Sequence, residues 1–235
     1  MSRLTASQPW TPGVSQGPWS GTIGTRRGEF RPSRLGPGLT RLGTEAGEDV
    51  VLMRALVVYE SMYGNTHAVA TYVAAGLHAT HEVTLVPVTR ATRELVAATN
   101  LIAAGGPTHL HGMSTVASRR TATETAHRPG SGLTMDPDAD GPGLRAWLEA
   151  LGAEGVLAAA FDTRLSGKIP VLTGRASRGI ARLLTRRGCR VLLAPESFLV
   201  SGQNALLDGE AVRACAWGAL AGETARAAFA TSRRS

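Results

Sequence analysis

Apolar and polar positions along this chain predict five strands separated by helices. The first and third of these strands are short, unbroken apolar runs, a pattern typical of parallel strands that are buried on both faces of a sheet. The predicted strands cover residues 55–59, 81–88, 101–105, 156–161 and 190–194, and Phe198-Leu199-Val200 extends or continues the last of them. Pro87 is tolerated only at a sheet edge or a strand end, so we expect the second strand to lie outermost.

Segments with apolar residues at helical spacing lie between these runs. Val69, Tyr72, Val73 and Leu77 mark the first helix, directly after Thr66. Further helices are predicted at 92–98, at 116–126, from residue 144 onward, at 176–187 and at about 208–229, whereas 128–143 is predicted to be a surface loop. Alternating strands and helices favour an α/β fold with a doubly wound parallel sheet, joined by right-handed crossovers.

Residues 1–52 show neither the strand period nor the helix period. They are rich in Gly, Pro, Ser, Thr and Arg, and their aromatic residues are isolated. We expect a disordered N-terminal extension there and one domain over residues 53–235. Met53 stands directly before the first predicted strand, so one alternative is that translation starts at Met53. A basic interaction tail is another alternative, but four acidic residues dilute its charge.

The formal net charge is +7, and nearly all of the basic charge is arginine, because Lys168 is the single lysine. The arginine pairs lie in separate segments without interleaved aromatic residues, which favours a solvated surface over a specific nucleic-acid site. No apolar run approaches the roughly 20 residues of a membrane span, and the N-terminus lacks a hydrophobic signal-peptide core. We therefore expect a cytoplasmic protein. Cys189 and Cys215 are predicted to be small core hydrophobes.

The first predicted strand ends in a polar loop that leads into a helix. The backbone N–H groups at a helix N-terminus lack intrahelical partners, and the helix dipole is positive there, so this position suits a phosphate. The loop has one glycine and no cation, which excludes a P-loop and a dinucleotide fingerprint. Hydroxyls of Ser61, Tyr63 and Thr66 beside Gly64 and Asn65 suit a phosphate monoester. The alternative is an ordinary strand-to-helix turn that happens to be polar.

The loop Ser61-Met62-Tyr63-Gly64-Asn65-Thr66 resembles the FMN phosphate loop of the flavodoxin family. Its Ser-Met-Tyr-Gly part is especially similar to the flavodoxin-like NAD(P)H:quinone oxidoreductases. The resemblance implies a flavodoxin-like three-layer α/β/α fold over residues 53–235, with a five-stranded parallel sheet in the order 2-1-3-4-5. FMN would then lie at the switch point between the first and third strands.

Two further loops should meet at this site, because the carboxyl ends of neighbouring parallel strands share one sheet edge. Gly-Gly-Pro-Thr-His, residues 105–109, is similar to the flavin-ring loop of many flavodoxin-like proteins, and its paired glycines would let the backbone approach a flat ring. In the loop after Phe161, Asp162 and Thr163 could bind ring edges, and Arg164 could stabilise negative charge on a reduced flavin. The alternatives are a tight turn and a surface ion pair between Asp162 and Arg164.

The predicted FMN site therefore consists of three loops. Its residues are Ser61, Met62, Tyr63, Gly64, Asn65, Thr66, Pro107, Thr108, His109, Leu110, His111, Gly112, Asp162, Thr163 and Arg164. Family members usually place the ring between aromatic side chains, and the ring loop here has none except its histidines. A metal at His109 and His111 is not expected, because no carboxylate or cysteine stands nearby to complete a ligand set.

The resemblance implies an FMN-binding redox protein that transfers electrons through bound flavin to or from a partner protein. No nucleophile, base and orienting group occur as a set, so no catalytic side chain is predicted. One alternative is an NAD(P)H-dependent quinone oxidoreductase with a small acceptor. Another is a flavodoxin-fold module that has lost flavin and acts by protein interaction.

Overall fold

Eight strands form one sheet in the part of the chain described by the computed structural model, which comprises residues 39–42, 50–109, 112–167 and 174–232. The strands are β1 (Leu39–Leu42), β2 (Val50–Tyr59), β3 (His81–Pro87), β4 (Leu101–His109), β5 (Gly112–Met113), β6 (Leu157–Leu165), β7 (Arg190–Val191) and β8 (Glu196–Val200). Strands β3, β2, β4 and β6 lie side by side in parallel, and β7 and β8 both pair with β6 in parallel.

This arrangement confirms the predicted order 2-1-3-4-5, with β2 as the first strand and β3 as the outer second strand. The predicted count of five is wrong. The fifth strand consists of two pieces, β7 and β8, on either side of Pro195, which lacks the amide hydrogen that a continuous strand would need. The short strands β1 and β5 pair antiparallel with β2 and β4 and were not predicted.

Helices cover both faces of the sheet, so the three-layer architecture is confirmed. The helices are α1 (Asn65–Leu77), α2 (Arg93–Ala97), α3 (Val116–Ala126), α4 (Leu144–Glu149), α5 (Ala176–Arg186) and α6 (Glu210–Ser232). Successive side chains of a strand point to opposite faces. Val57 and Ala103 accordingly pack in one core with α1 and α6, whereas Val58 and Ile102 pack in the other with α2, α4 and α5. Helix α3 has no fully buried residue.

Of residues 1–52, which were predicted to be disordered, the structure describes residues 39–42 and 50–52. Within this segment, β1 and the first residues of β2 form an antiparallel pair in which Leu39 lies opposite Met53. Strand β2 thus begins at Val50, before Met53. The rest of the segment lies outside the described residues, and its disorder stays a prediction.

Two smaller predictions concern cysteines and membrane spans. Cys189 is buried, and its thiol donates to the carbonyl oxygen of Ala153 at 3.4 Å, as a small core residue can. Burial raises the pKa of the Cys189 thiol to about 11, which makes it unreactive at neutral pH. Among the helices of the described ranges, none is both long and apolar enough to cross a membrane.

Candidate functional site

A cleft of about 280 Å³ lies where the carboxyl ends of β2, β4, β6 and β8 meet. It is lined by Ser61, Met62, Tyr63, Asn65, Thr66, Pro107, Thr108, His109, Leu133, Thr163, Arg164, Leu165, Val200, Ser201, Gly202 and Asn204. The structure therefore brings together residues from all three of the predicted loops. It adds residues from two segments that were not predicted, namely Leu133 and the loop after β8.

The first loop ends at Gly64, which precedes α1 and has φ +91°. Only glycine adopts this left-handed conformation without strain. The Gly64 N–H donates to Ser61 Oγ at 3.1 Å, so the Ser61 hydroxyl closes the loop on itself. The N–H groups of Asn65, Thr66 and His67 come before the first intrahelical bond, which Ala68 donates to the Gly64 carbonyl oxygen. The first turn of α1 therefore offers backbone donors at the cleft.

Thr66 and Thr163 join the first and third predicted loops. Their hydroxyl oxygens lie 2.7 Å apart, and both side chains are buried. In such a pair one hydrogen makes the mutual bond, so the other hydrogen is available to a third acceptor. The pair thus presents a donor beside the α1 N-terminus.

Met62 and Tyr63 hold neighbouring segments against the first loop. The Tyr63 hydroxyl donates to the carbonyl oxygen of Ala122 in α3 at 2.8 Å, so its hydrogen is already used. The Met62 carbonyl oxygen accepts from the Asp136 N–H at 2.8 Å, and the buried Asp136 carboxylate lies 3.4 Å from His67 Nδ1. These contacts fold the 128–143 loop back toward the cleft and explain why Leu133 reaches its wall.

The second predicted loop contributes three lining residues, Pro107, Thr108 and His109. Thr108 Oγ1 accepts from the Ala176 N–H at 3.1 Å and so binds the first turn of α5. Gly112 pairs with His109 in the β4–β5 hairpin and is not among the lining residues. Leu110 and His111 lie outside the described residues.

The surroundings of His109 favour its uncharged imidazole form. Burial lowers its pKa, the nearby Glu60 carboxylate raises it, and Arg119 lowers it. His109 Nδ1 lies 2.9 Å from Ser118 Oγ, which fixes the ring against α3. Among the described lining residues, positive charge therefore comes from Arg164 and not from this histidine.

The paired glycines of the second loop have a different role from the one expected. A Cβ at Gly105 would overlap the buried ring of Phe161, and a Cβ at Gly106 would lie 3.2 Å from Leu144 Cδ2. Both glycines are buried in the protein core. They make room for neighbouring side chains, so the expectation that they admit a flat ligand ring is wrong.

Asp162 lies outside the cleft lining, whereas Thr163 and Arg164 belong to it. The Asp162 side chain is fully buried, and its Oδ2 accepts from the Ser177 N–H at 2.7 Å. Ser177 stands in the first turn of α5, where a carboxylate is favoured by the helix dipole. Burial raises the pKa of Asp162, and its bonds to Ser177 lower it. The geometry gives Asp162 the role of a helix cap.

The loop after β8 is, together with Leu133, the part of the site that was not predicted from the sequence. Asn65 Nδ2 donates to Asn204 Oδ1 at 2.6 Å, and Asn204 Nδ2 donates to the Tyr63 carbonyl oxygen at 3.3 Å. Asn204 has φ +58°, a left-handed conformation that asparagine tolerates. The available signal was the turn-forming sequence Ser-Gly-Gln-Asn, residues 201–204, directly after a predicted strand.

The described lining residues include one cation, Arg164, and no carboxylate. Hydroxyls, amides and backbone N–H groups supply the other polar atoms. Within the described ranges, no group of three or more His, Cys, Asp and Glu side chains could hold a metal ion. The arrangement suits an anionic organic ligand.

Comparisons with known proteins bear on the fold. A scan against protein-family models and a search of curated proteins both found no match. Among solved structures, an archaeal flavodoxin is 20% identical with a TM-score of 0.53, covering 74% of this chain and 99% of the flavodoxin. Flavodoxin 1 from Bacillus cereus is 15% identical with a TM-score of 0.50, covering 72% of this chain and 97% of its own.

A third similar structure is larger than this chain. The Flv1 flavodiiron core from Synechocystis sp. PCC6803 is 17% identical with a TM-score of 0.50. The match covers 74% of this chain but only 36% of the flavodiiron core, so it concerns one part of that protein. At these identities the likeness concerns the fold, and the function has to be argued from the site. Strand order, layers and structural neighbours agree that the chain has the flavodoxin-like α/β fold.

Proposed function

We propose that this protein binds FMN in the cleft and transfers electrons through it to or from a redox partner. The observation that carries the proposal is the composition of the cleft. The α1 N-terminus, the Thr66–Thr163 hydroxyl pair and Arg164 supply donors and positive charge, and the described lining has no carboxylate. A phosphate monoester needs such surroundings, because a buried anion must be hydrogen-bonded and must avoid like charge.

The phosphate end of FMN fits the first loop. The N–H groups of the first turn of α1 and the spare hydrogen of the Thr66–Thr163 pair would donate to phosphate oxygens. The Ser61 hydroxyl accepts from Gly64 and can still donate its own hydrogen. Asn65 would act through its backbone N–H, because its side-chain amide binds Asn204.

The ring end of FMN fits the opposite part of the cleft. Pro107, Leu133 and Leu165 supply apolar walls, and Arg164 would stabilise negative charge that reduction places on the ring. His109 would present a neutral imidazole and add no charge. Bound FMN would supply the one- and two-electron redox chemistry that the side chains lack.

A second candidate is a flavodoxin-fold module without flavin that acts by protein interaction. The walls of the cleft favour it, because its described apolar lining is mostly aliphatic and offers no pair of aromatic side chains. An aromatic pair would add about 0.5–1.5 kcal/mol per contact beyond the area buried. A cleft without such an aromatic pair should bind FMN weakly or not at all.

One experiment distinguishes these functions. The purified full-length protein is titrated with FMN while its visible absorbance and the flavin fluorescence are recorded, and NADH or NADPH is then added without oxygen. A bound-flavin spectrum that needs a separate reductase to bleach supports electron transfer between partners. Rapid bleaching by the nicotinamide alone would instead assign the quinone-reductase function. A protein that leaves FMN unbound at millimolar concentration would refute the flavin proposal and favour the interaction module.

A further inference from the structure

The loops around the cleft combine buried or paired carboxylates with exposed arginines. Glu60 is buried and accepts from the Leu144 N–H at 2.7 Å, and Asp136 and Asp162 are buried as well. Asp138 is paired with Arg90 at 3.3 Å. The carboxylates of these loops are therefore largely withdrawn from the surface that a partner would meet.

Four arginines of the described residues stand in the cleft loops and at the start of α5, and we call them the basic rim: Arg128, Arg164, Arg175 and Arg178. Arg164 lines the cleft itself. Arg128, Arg175 and Arg178 are exposed, and none of the three forms an ion pair with another residue in the described ranges.

Backbone contacts connect the exposed rim arginines to the cleft. Arg175 precedes Ala176, whose N–H donates to the cleft-lining Thr108 at 3.1 Å. On the other flank, the Arg128 carbonyl oxygen accepts from the Ser131 N–H, and Ser131 Oγ accepts from the N–H of the cleft-lining Leu133. The exposed rim arginines therefore stand on two separate segments, each of which is bonded to a residue of the cleft lining.

Two of the rim arginines stand at the N-terminus of α5, where positive charge is unfavourable. Arg175 is the N-cap residue of α5, and Arg178 lies in its first turn, which contains no acidic residue of its own. The positive end of the helix dipole disfavours cations at these positions. Their placement therefore adds positive potential at the cleft without stabilising the helix.

The centre of this surface is apolar. Leu165 lines the cleft and is 60% exposed. An apolar centre inside a charged rim is the usual composition of a protein-docking surface. Asp140 and Asp208 are exposed in loops at the same sheet edge, but the four rim arginines outnumber them.

We propose that the basic rim and Leu165 form the docking surface for an electron-transfer protein whose own docking face is acidic. The proposal rests on the proposed redox function, and it names the class of partner. Charge complementarity carries it: the rim would attract and orient an acidic partner over the cleft, and Leu165 would make the apolar contact at the centre.

The test is a titration of the isotope-labelled full-length protein, without added flavin, followed by NMR. The probes are an acidic plant-type [2Fe–2S] ferredoxin, the basic cytochrome c and a short DNA duplex. We expect the ferredoxin to shift the Leu165 amide signal, and its affinity to fall about tenfold as the Debye length shortens from about 30 Å at 0.01 M to about 10 Å at 0.1 M salt.

A matched pair of double variants locates the effect. Arg175→Gln with Arg178→Gln removes two charges from the rim end of α5, and Arg186→Gln with Arg187→Gln removes two charges from its other end. We expect the first variant to lose about tenfold in ferredoxin affinity at low salt, and the control to lose less than about twofold. All four positions are exposed, so circular dichroism should show both variants folded.

Four results would overturn the proposal. Equal losses of ferredoxin affinity in the two double variants would mean that the ferredoxin is attracted by the net charge of the protein alone. Equal or tighter binding of cytochrome c would contradict an acidic partner, and tighter binding of DNA would assign the rim to nucleic acid. An FMN titration of the same sample separates the two proposals, because FMN binding without ferredoxin binding would refute the docking surface and leave the redox function standing.

Discussion

The hydroxyl pair at the cleft gives the sharpest test of the phosphate site. Thr66→Val removes one hydroxyl of a buried pair whose oxygens lie 2.7 Å apart, and valine has nearly the same shape as threonine. The Thr163 hydroxyl then loses its described partner, which should cost about 1–3 kcal/mol of folding stability. A lost hydrogen bond to a charged phosphate is worth about 1.5–3 kcal/mol, so the FMN dissociation constant should rise about 10- to 150-fold.

The assay measures the affinity for FMN and for riboflavin by fluorescence quenching. Riboflavin lacks the phosphate, so Thr66→Val should leave its affinity nearly unchanged. Thr71→Val is the matched control, because Thr71 is exposed on the same helix and its hydroxyl donates to the His67 carbonyl oxygen. An unchanged FMN affinity in Thr66→Val would refute the phosphate assignment. Equal losses for FMN and riboflavin would mean that the loop had collapsed, which would refute the reasoning equally.

Three further predictions concern stability. Gly105→Ala should lower the free energy of unfolding by about 1–3 kcal/mol in chemical denaturation, because the new Cβ overlaps the buried Phe161 ring. Burial lowers the pKa of His81 to about 4. As the pH drops, the unfolded chain therefore binds this proton before the folded chain does. The free energy of unfolding should fall by up to about 3 kcal/mol as the pH drops from about 6.5 to 4. Burial raises the pKa of Asp162, so the ionisation of its carboxyl group destabilises the fold as the pH rises. Asp162→Asn should therefore be at least as stable as the parent protein at pH 7, because the amide oxygen still accepts from the Ser177 N–H.

Each stability prediction has its own control. Gly152→Ala should be nearly neutral, because nothing lies within 4 Å of a Cβ there, and a similar loss at both glycines would contradict the packing argument. His81→Leu should flatten the acid part of the stability profile, and an unchanged slope would show that another group titrates. A clear loss of stability in Asp162→Asn at pH 7 would mean that the charged form is the favoured one.

The elements of the fold were predictable because their signals are local. Unbroken apolar runs located β2, β4 and β6, a mixed run with several apolar residues located β3, and helical spacing located the helices that cover them. Pro87 placed β3 at the sheet edge through its missing amide hydrogen. The split of the last strand was not predicted, because the apolar character continues across Pro195 while the pairing does not.

The candidate site was predictable in part for the same reason. The first loop carries its chemistry in six consecutive residues, so its sequence identifies it without knowledge of distant contacts. From the sequence, Asp162 could be either a ligand-binding residue or a helix-capping residue. Only its hydrogen bond to Ser177 in the neighbouring helix decides between these roles. Gly105 likewise resembles a ligand-contacting glycine until the Phe161 ring is seen beside it.

The sequence by itself determined the α/β alternation, the outer position of β3 and the polar loop at the start of α1. The tertiary structure decided which side chains face the cleft, which cap helices, and that Asn204 meets Asn65 across 139 residues of chain. Strand periods and helix spacings are short-range properties that neighbouring residues encode. Contacts between distant loops follow from sheet register and side-chain packing, which no local pattern specifies.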